Sequence, residues 1–214
     1  MKNPWEDITL ADYENHMKLD SVRQLQAMNQ MMKEQLQFPV SNVVILGIAG
    51  GNGLEHIQTE KFEKVYGIDV NQHYLDETLA RYPSLAEVLE CRCLDLTADL
   101  TNLPKSELLI TNLVIEYIGY PCFQKAVQKV APKYISCIIQ QNPQEKNWVS
   151  QSPYLHAFDD LEAVHHHIEA TILAKKLADI GYSPLKKSAH HLPDGKALIQ
   201  MDFSAKKINL KNQI

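Results

Sequence analysis

The sequence has no long apolar run, no excess of basic residues and only four cysteines. No apolar stretch approaches the ~18 residues that a membrane-spanning helix needs, and the start of the chain lacks a basic-then-apolar signal pattern. The formal net charge is −5, which argues against a general basic surface for a nucleic-acid backbone. We therefore expect a protein that neither spans a membrane nor acts on nucleic acid, although a local basic patch is not excluded.

The cysteines are not arranged as a metal or disulfide framework. Their spacing differs from that of zinc ribbons and of small secreted domains, at Cys91, Cys93, Cys122 and Cys137. Reduced, partly buried thiols are the simplest interpretation. Together with the missing signal pattern, they predict a cytoplasmic location.

The most informative stretch is an aliphatic run that leads into a glycine-rich turn. Residues 43–46 are typical of a strand buried on both faces of a parallel sheet. The turn, residues 47–53, contains four glycines, which allow the backbone to turn tightly and to approach a ligand closely. A short helix-like segment follows at once, and its free N–H groups favour a nucleotide-like ligand at the end of the strand.

Strand and helix signals then alternate along most of the chain. Further strands are predicted at 64–70, 87–96, 108–112 and 135–140, with helices at about 71–82 and 121–130. A long helix is predicted from Asp159 or Asp160 to Gly181, followed by an antiparallel hairpin of residues 183–190 and 197–205. This alternation predicts right-handed crossovers and a largely parallel sheet.

Residues 1–38 are predicted to form a helical extension ahead of the sheet. Leu10, Tyr13 and Met17 share one face of a first helix. Ser21 and Gln24 fit a capping box at the start of a second helix. We therefore divide the chain into a helical extension, residues 1–38, and an α/β domain, residues 39–214.

No metal site is expected from the histidines. The pattern places residues 165–167 on the long helix, where consecutive side chains diverge by ~100° and do not converge on one ion. They are interpreted as a polar helix face. His190 and His191 alternate across a strand, and the same objection applies to them.

Five alternating strands, a long helix and a terminal hairpin resemble the class I S-adenosylmethionine-dependent methyltransferases over roughly residues 40–206. The resemblance implies an α/β fold, a Rossmann-like three-layer sandwich. Its seven-stranded, mostly parallel sheet would have the order 3-2-1-4-5-7-6, with strand 7 antiparallel. The implied cofactor is S-adenosyl-L-methionine, bound at the carboxyl ends of the first strands.

The turn after the first strand matches the G-x-G-x-G motif of that family at Gly47, Ala49 and Gly51. Alanine occupies the second glycine position, and Ile45 stands where the family often has an acidic residue. The resemblance implies that this turn approaches the methionine part of the cofactor.

The next strand ends supply the other implied contacts. The resemblance assigns the ribose hydroxyls to Asp69, beside Val70, and the adenine amine to Asp95 with the backbone N–H of Leu96. Asn112 would line the methyl-transfer cavity. No Asn- or Asp-Pro-Pro-aromatic motif follows, which argues against the branches that methylate amino groups of DNA and protein. A small-molecule acceptor is therefore expected.

Three residues are candidates for deprotonating an acceptor. Glu116 and Tyr117 closely follow the fourth strand, and His156 lies in the loop after the fifth. The alternatives are that Glu116 only caps the next helix and that His156 is a solvated loop residue.

Three more residues are candidates for binding the acceptor. Tyr154 lies in the loop after the fifth strand, and Tyr13 and His16 share a helix face in the N-terminal segment. In many relatives that segment folds over the cofactor as a lid. The alternative is that Tyr13 packs in the interior while His16 is exposed.

The resemblance implies a methyltransferase that transfers a methyl group by in-line displacement to an unidentified small molecule. The alternative is a non-catalytic protein that binds S-adenosylmethionine or S-adenosylhomocysteine, because no catalytic base stands out. An NAD-dependent oxidoreductase would use Asp69 equally well, but its G-x-G-x-x-G fingerprint fails at Ala49 and Asn52.

Overall fold

The computed structural model describes residues 3–143 and 148–206. Three parts of the predicted segments lie outside the described residues. They are residues 1–2 of the helical extension, residues 144–147 of the loop after the fifth strand and residues 207–214 of the α/β domain. Seven strands are described: β1 Asn42–Leu46, β2 Lys64–Asp69, β3 Leu89–Cys93, β4 Leu108–Asn112, β5 Tyr134–Gln141, β6 Tyr182–His191 and β7 Ala197–Ala205. The α-helices are α1 Leu10–Lys18, α2 Gln24–Gln35, α3 Gln72–Arg81, α4 Ile115–Val130 and α5 Ala170–Asp179.

The strands form one sheet of order β3-β2-β1-β4-β5-β7-β6. Strands β1 to β5 pair in parallel, and β7 runs antiparallel to both β5 and β6. The predicted fold, strand order and orientation are confirmed. The order reverses between β1 and β4, and open α/β sheets bind ligands outside the carboxyl ends of strands at such a switch point.

Both faces of the sheet are covered, which explains the continuous apolar runs in its central strands. Val44 and Leu46 point into a core that contains residues of α4 and α5. Val43 and Ile45 point to the opposite side, into a core with residues from the end of α2 and from α3. The result is the predicted three-layer sandwich.

The N-terminal segment contains the two predicted helices, but the prediction of a capping box at Ser21 and Gln24 is wrong. Thr9 caps α1, and its hydroxyl accepts a hydrogen bond from the backbone N–H of Asp12. The N-cap of α2 is Arg23, which has a left-handed backbone (φ 55°) and no side-chain capping bond. Gln24 is buried and its amide donates to Gln140 on β5, so its side chain serves a tertiary contact instead.

The predicted long helix from Asp159 or Asp160 to Gly181 is also wrong over its first half. A 3₁₀ helix, Leu155–Ala163, is followed by a segment without regular secondary structure, and α5 begins only at Ala170. The backbone N–H of His166 donates to the carbonyl of Glu116 at 2.6 Å. The N–H of Glu169 donates to the hydroxyl of Tyr120 at 2.8 Å. These bonds hold the segment against α4, so residues 165–167 do not form a helix face.

Two further observations concern the helices. The prediction that α4 begins near Pro121 is wrong, because the helix begins at Ile115. It continues across a kink at Gly119 (φ 67°). Among the described residues, no helix is long and apolar enough to cross a membrane.

Candidate functional site

A large cavity lies over the carboxyl ends of the first five strands. It encloses about 1120 Å³ of non-protein space, part of it open to solvent. Residues at the ends of β1 to β5 line it, among them Gly47, Asp69, Asp95, Asn112 and Gln140. It is therefore the candidate ligand site, at the edge where open α/β sheets bind ligands.

The glycine-rich turn forms one wall of this cavity. Gly47 (φ 66°) and Ala49 (φ 47°) both line it and both have left-handed backbone conformations. A Cβ at Gly47 would lie 2.2 Å from Cγ2 of Val114, so only glycine fits there. Ala49 tolerates a conformation that is uncommon for residues with a Cβ. Its backbone N–H donates to Asp69 Oδ2 at 2.9 Å, which fixes the turn to the end of β2.

Gly51, the third predicted motif residue, lies in the same turn (φ 78°) but not among the described residues that line the cavity. A Cβ there would come within 3.0 Å of side-chain atoms of Tyr82, Leu54 and Thr78. Its observed role is to let the turn pack closely against α3 and its neighbours.

Asp69 is buried at the end of β2 and lines the cavity beside Val70. Its Oδ1 accepts the backbone N–H of Asn71 at 3.0 Å, and its Oδ2 accepts that of Ala49. Burial raises the pKa of this carboxyl, while these backbone N–H groups act in the opposite direction. Because a carboxylate has about four acceptor positions, the two bonds leave capacity for ligand hydroxyls.

Asp95 and Leu96 follow β3 and also line the cavity. Asp95 is half-buried, and its Oδ1 accepts both the backbone N–H and the hydroxyl of Thr97, at 2.8 and 2.7 Å. At the end of β4, Asn112 pairs reciprocally with the amide of Gln35, with both bonds at 2.9 Å. That pair joins the helical extension to the cavity floor.

Glu116 lies in the first turn of α4, lines the cavity and is only 5% exposed. Its Oε1 accepts the backbone N–H of Gln140 at 2.8 Å. Its Oε2 is buried and has no hydrogen-bond partner within the described residues. Burial raises the pKa of Glu116 to about 7. A carboxyl of this kind is poised to exchange a proton near neutral pH.

Four ring side chains, which we name the aromatic wall, line the cavity beside Glu116: Trp5, Tyr117, Trp148 and His165. The ring centres of Trp5 and Tyr117 are 4.8 Å apart at 85°, and those of Tyr117 and Trp148 are 6.3 Å apart at 67°. His165 stacks on Trp148 at 4.0 Å. Burial lowers the pKa of His165 to about 4, so its ring is neutral at pH 7.

The predicted N-terminal candidates also reach the cavity. Tyr13 and His16 both line it. His16 is buried rather than exposed, its Nδ1 lies 2.7 Å from the hydroxyl oxygen of Ser152, and its ring centre lies 4.7 Å from that of Phe158. Burial lowers the pKa of His16 to about 4.

The two predicted residues of the loop after β5 lie elsewhere. Neither Tyr154 nor His156 is among the described residues that line the cavity. Tyr154 packs against a small apolar cluster that includes Phe158. The side chain of His156 is 93% exposed and contacts Asp159 at 3.2 Å.

Hydrogen bonds fasten the N-terminal segment to the start of α3. Asn71 caps α3 with its side-chain oxygen, and its Nδ2 donates to the carbonyl of Trp5 at 2.9 Å. The hydroxyl of Tyr74 donates to the carbonyl of Ile8 at 2.9 Å. These bonds hold Trp5 over the cavity.

Sequence reasoning misses Trp5, Trp148 and His165 as residues of this site. They come from three segments that lie far apart in the chain, and no motif connects them. The helical pattern places His165 on a helix that does not form. In the part of the chain that the structure describes, no three His, Cys, Asp or Glu side chains are grouped so as to hold a metal ion.

No protein-family model and no curated protein matches this chain, but many solved structures do. The methyltransferase domain of a bacterial CtHen1 matches with a TM-score of 0.65 at 17% identity, over 85% of this chain and 98% of its own. The N-methyltransferase NodS from Bradyrhizobium japonicum, solved with S-adenosylhomocysteine, matches with a TM-score of 0.63 at 13% identity. The match covers 95% of this chain and 99% of NodS. The cyclase SpnF matches with a TM-score of 0.63 at 10% identity, over 86% of this chain and 83% of its own.

These similarities confirm that the chain has the methyltransferase-like fold that the resemblance implied. At such low identity they show the fold alone. The presence of a cyclase among the neighbours illustrates that one fold carries different reactions, so the reaction is argued from the site.

Proposed function

We propose that this protein is an S-adenosylmethionine-dependent methyltransferase that acts on a small molecule. One observation carries the proposal. The glycine turn, Asp69, Asp95 and Asn112 come from four strand ends and line one cavity. The fold neighbour NodS, a protein of the same architecture, was solved with S-adenosylhomocysteine.

The residues present fit the adenosine part of such a ligand. Asp69 would accept the ribose hydroxyls with its unused acceptor positions, beside Val70. Asp95 and the backbone N–H of Leu96 would bind the adenine edge. The turn at Gly47 and Ala49 would lie against the methionine part. When bound, the cofactor supplies an electrophilic methyl group.

The acceptor would occupy the part of the cavity bordered by Glu116 and the aromatic wall. Methyl transfer is an in-line displacement, so the protein contributes chiefly by positioning the two molecules. Glu116 has the burial and the pKa to accept a proton from the attacking group. Tyr13 and His16 would contact the acceptor from the N-terminal segment, which we propose to act as a lid.

We also propose a cytoplasmic location. The four cysteines are free thiols, two of them only partly buried and one exposed. Free thiols are the usual state in a reducing compartment.

Calorimetry with S-adenosylhomocysteine tests the cofactor assignment. We expect micromolar binding by the wild type and no detectable binding by Asp69→Ala. Asp76→Ala is the matched control, because Asp76 is an exposed carboxylate on α3 outside the cavity, and it should bind like the wild type. A wild type that binds no S-adenosylhomocysteine would refute the proposal.

Turnover then separates an enzyme from a non-catalytic binder. Wild-type protein is incubated with S-adenosylmethionine and a panel of small metabolites, and S-adenosylhomocysteine release is measured. Release that depends on one added metabolite supports the enzyme. Binding without release across the panel would favour the binder.

A further inference from the structure

The described lining of the cavity contains acidic side chains and no lysine or arginine. The acidic residues are Asp69, Asp95 and Glu116. His16 and His165, with pKa values lowered to about 4, are neutral at pH 7. On the acceptor side, where Glu116 is the acidic residue, these surroundings disfavour an anionic acceptor and favour a cationic or neutral one.

A basic side chain behind the lining is already matched. Lys196 is 4% exposed, and its Nζ lies 2.6 Å from the hydroxyl of Ser150 and 3.1 Å from Asp194 Oδ2. Its charge is therefore paired with a carboxylate outside the cavity lining. It does not turn the cavity into an anion site.

The aromatic wall is suited to a cation. Ring faces carry negative potential and attract ammonium groups that lie within about 6 Å of a ring centre. Tyr117 meets both Trp5 and Trp148 at steep angles, 85° and 67°, so the rings face different directions around the cavity. The three ring planes therefore have different orientations along this side of the cavity, and His165 covers one face of Trp148.

Glu116 places an incomplete hydrogen-bond acceptor next to these rings. Its Oε2 is buried and unpartnered among the described residues, while its Oε1 is held by Gln140. Glu116 and Tyr117 are neighbours in the first turn of α4, and both line the cavity. An N–H donor on a ligand would satisfy Oε2.

From these three observations we infer that the methyl acceptor is a small organic amine that is recognised by the aromatic wall and hydrogen-bonded to Glu116. This inference rests on the proposed function and names its substrate class. Glu116 takes one proton from the ammonium group, which leaves a nitrogen lone pair. That lone pair forms the new N–C bond to the methyl carbon, and the C–S bond breaks with its electron pair on sulfur, leaving a neutral thioether.

Equilibrium binding to protein saturated with S-adenosylhomocysteine tests the inference. The probes are phenethylamine, phenethyl alcohol and phenylacetate, which share a phenyl-ethyl or phenyl-methylene skeleton and differ in charge. We expect the amine to bind about tenfold more tightly than the alcohol, and phenylacetate to bind most weakly. With S-adenosylmethionine in place of the product, mass spectrometry should detect methylated phenethylamine.

Two variants assign that preference to the named groups. Glu116→Gln should weaken binding of the amine about tenfold and leave binding of the alcohol unchanged. Trp148→Leu should also weaken binding of the amine more than binding of the alcohol. Glu162→Gln changes the net charge equally at an exposed position outside the cavity lining, and it should leave both affinities unchanged. Thermal melting confirms that each variant is folded.

The outcomes separate the two proposals. If S-adenosylhomocysteine binds but the alcohol or phenylacetate binds as tightly as the amine, or the amine does not bind at millimolar concentration, the amine inference is overturned and the cofactor assignment stands. An amine preference that survives Glu116→Gln and Trp148→Leu overturns it as well. If the wild type binds no S-adenosylhomocysteine, both proposals fall.

Discussion

The two halves of the cavity satisfy their polar atoms in opposite ways. On the cofactor side, the chain itself supplies hydrogen bonds to the acidic residues, from Ala49 and Asn71 to Asp69 and from Thr97 to Asp95. On the acceptor side, Glu116 Oε2 is buried without a partner among the described residues and is bordered by rings. In the cofactor half, each acidic residue already has hydrogen bonds from the chain and keeps acceptor positions for a ligand. In the acceptor half, a buried oxygen gains its hydrogen bond from the ligand.

This difference suggests how stability and function are divided between the two halves. Residues of the cofactor half hold the turn and the strand ends together, so changing them should reduce both folding and binding. A buried, unsatisfied carboxyl costs folding free energy. Changing it should therefore harm function while helping the fold. The following predictions test that contrast.

The largest effect is expected from Gly47→Ala in the cofactor half. The new Cβ would meet the stiff side chain of Val114, and alanine would have to adopt φ 66°. Backbone strain and overpacking together should lower the free energy of unfolding by about 2–4 kcal/mol. The same variant should lose S-adenosylhomocysteine binding. Urea denaturation and calorimetry measure the two effects.

Gly181→Ala is the matched control for that variant. Gly181 also has a left-handed backbone (φ 93°), but a Cβ there would have no heavy atom within 4 Å. It isolates the cost of the backbone conformation, about 1 kcal/mol, and should leave binding intact. Equal losses of stability in the two variants would show that the contact with Val114 is unimportant.

Much of the cofactor half can be predicted because its determinants are local. Strands buried on both faces give continuous apolar runs, so the predicted bounds of β4 match the structure and those of β1 differ by one residue. Parallel strands bring their carboxyl ends to one edge, which predicts that Asp69, Asp95 and Asn112 lie near one another. The family resemblance then supplies the sheet order.

The acceptor half is predicted only in part, because long-range contacts assemble it. Glu116 and Tyr117 are candidates from the sequence, and both line the cavity. Trp5, Trp148 and His165 are far apart in the chain, and local periodicity carries no information about their meeting.

The error in the long helix has a related cause. Leu161 and Ile168 have helical spacing and are both buried, but they pack in different apolar clusters. The 3₁₀ helix buries Leu161, and the irregular segment after it buries Ile168, so burial does not require one continuous helix.

In the acceptor half, Glu116→Gln should stabilise the protein above neutral pH. The folded-state pKa of Glu116, about 7, lies above the value of about 4.5 for an unperturbed glutamate. The neutral form is favoured in the folded state, so the wild type loses stability as pH rises from about 4.5 through 7. Glutamine avoids that loss, which reaches about 3 kcal/mol. Urea denaturation without ligand at about pH 5 and pH 8 measures it.

The two pH values provide the internal control. At about pH 5 the carboxyl is protonated in the folded state, and the variant and wild type should have similar stability. At about pH 8 the variant should be the more stable one while its methyl transfer is reduced. A variant that is less stable than the wild type at both values would show that Glu116 serves the fold, against the proposed contrast between the halves.

The smallest effect is expected when two aspartates in similar local turns are each replaced by alanine. Asp95 and Asp99 each accept the backbone N–H and the hydroxyl of a threonine two residues later, Thr97 and Thr101. Of these two aspartates, Asp95 lines the cavity, and Asp99 is not among the described residues of the lining. Replacing either by alanine removes the same turn bonds, so both variants should lose similar, small amounts of stability. Because Asp95 would also bind adenine, Asp95→Ala alone should weaken S-adenosylhomocysteine binding, by about tenfold or 1.4 kcal/mol. Equal affinities in the two variants, measured by calorimetry, would reduce Asp95 to a turn residue and limit the ligand contacts of the cofactor half to Asp69 and the glycine turn.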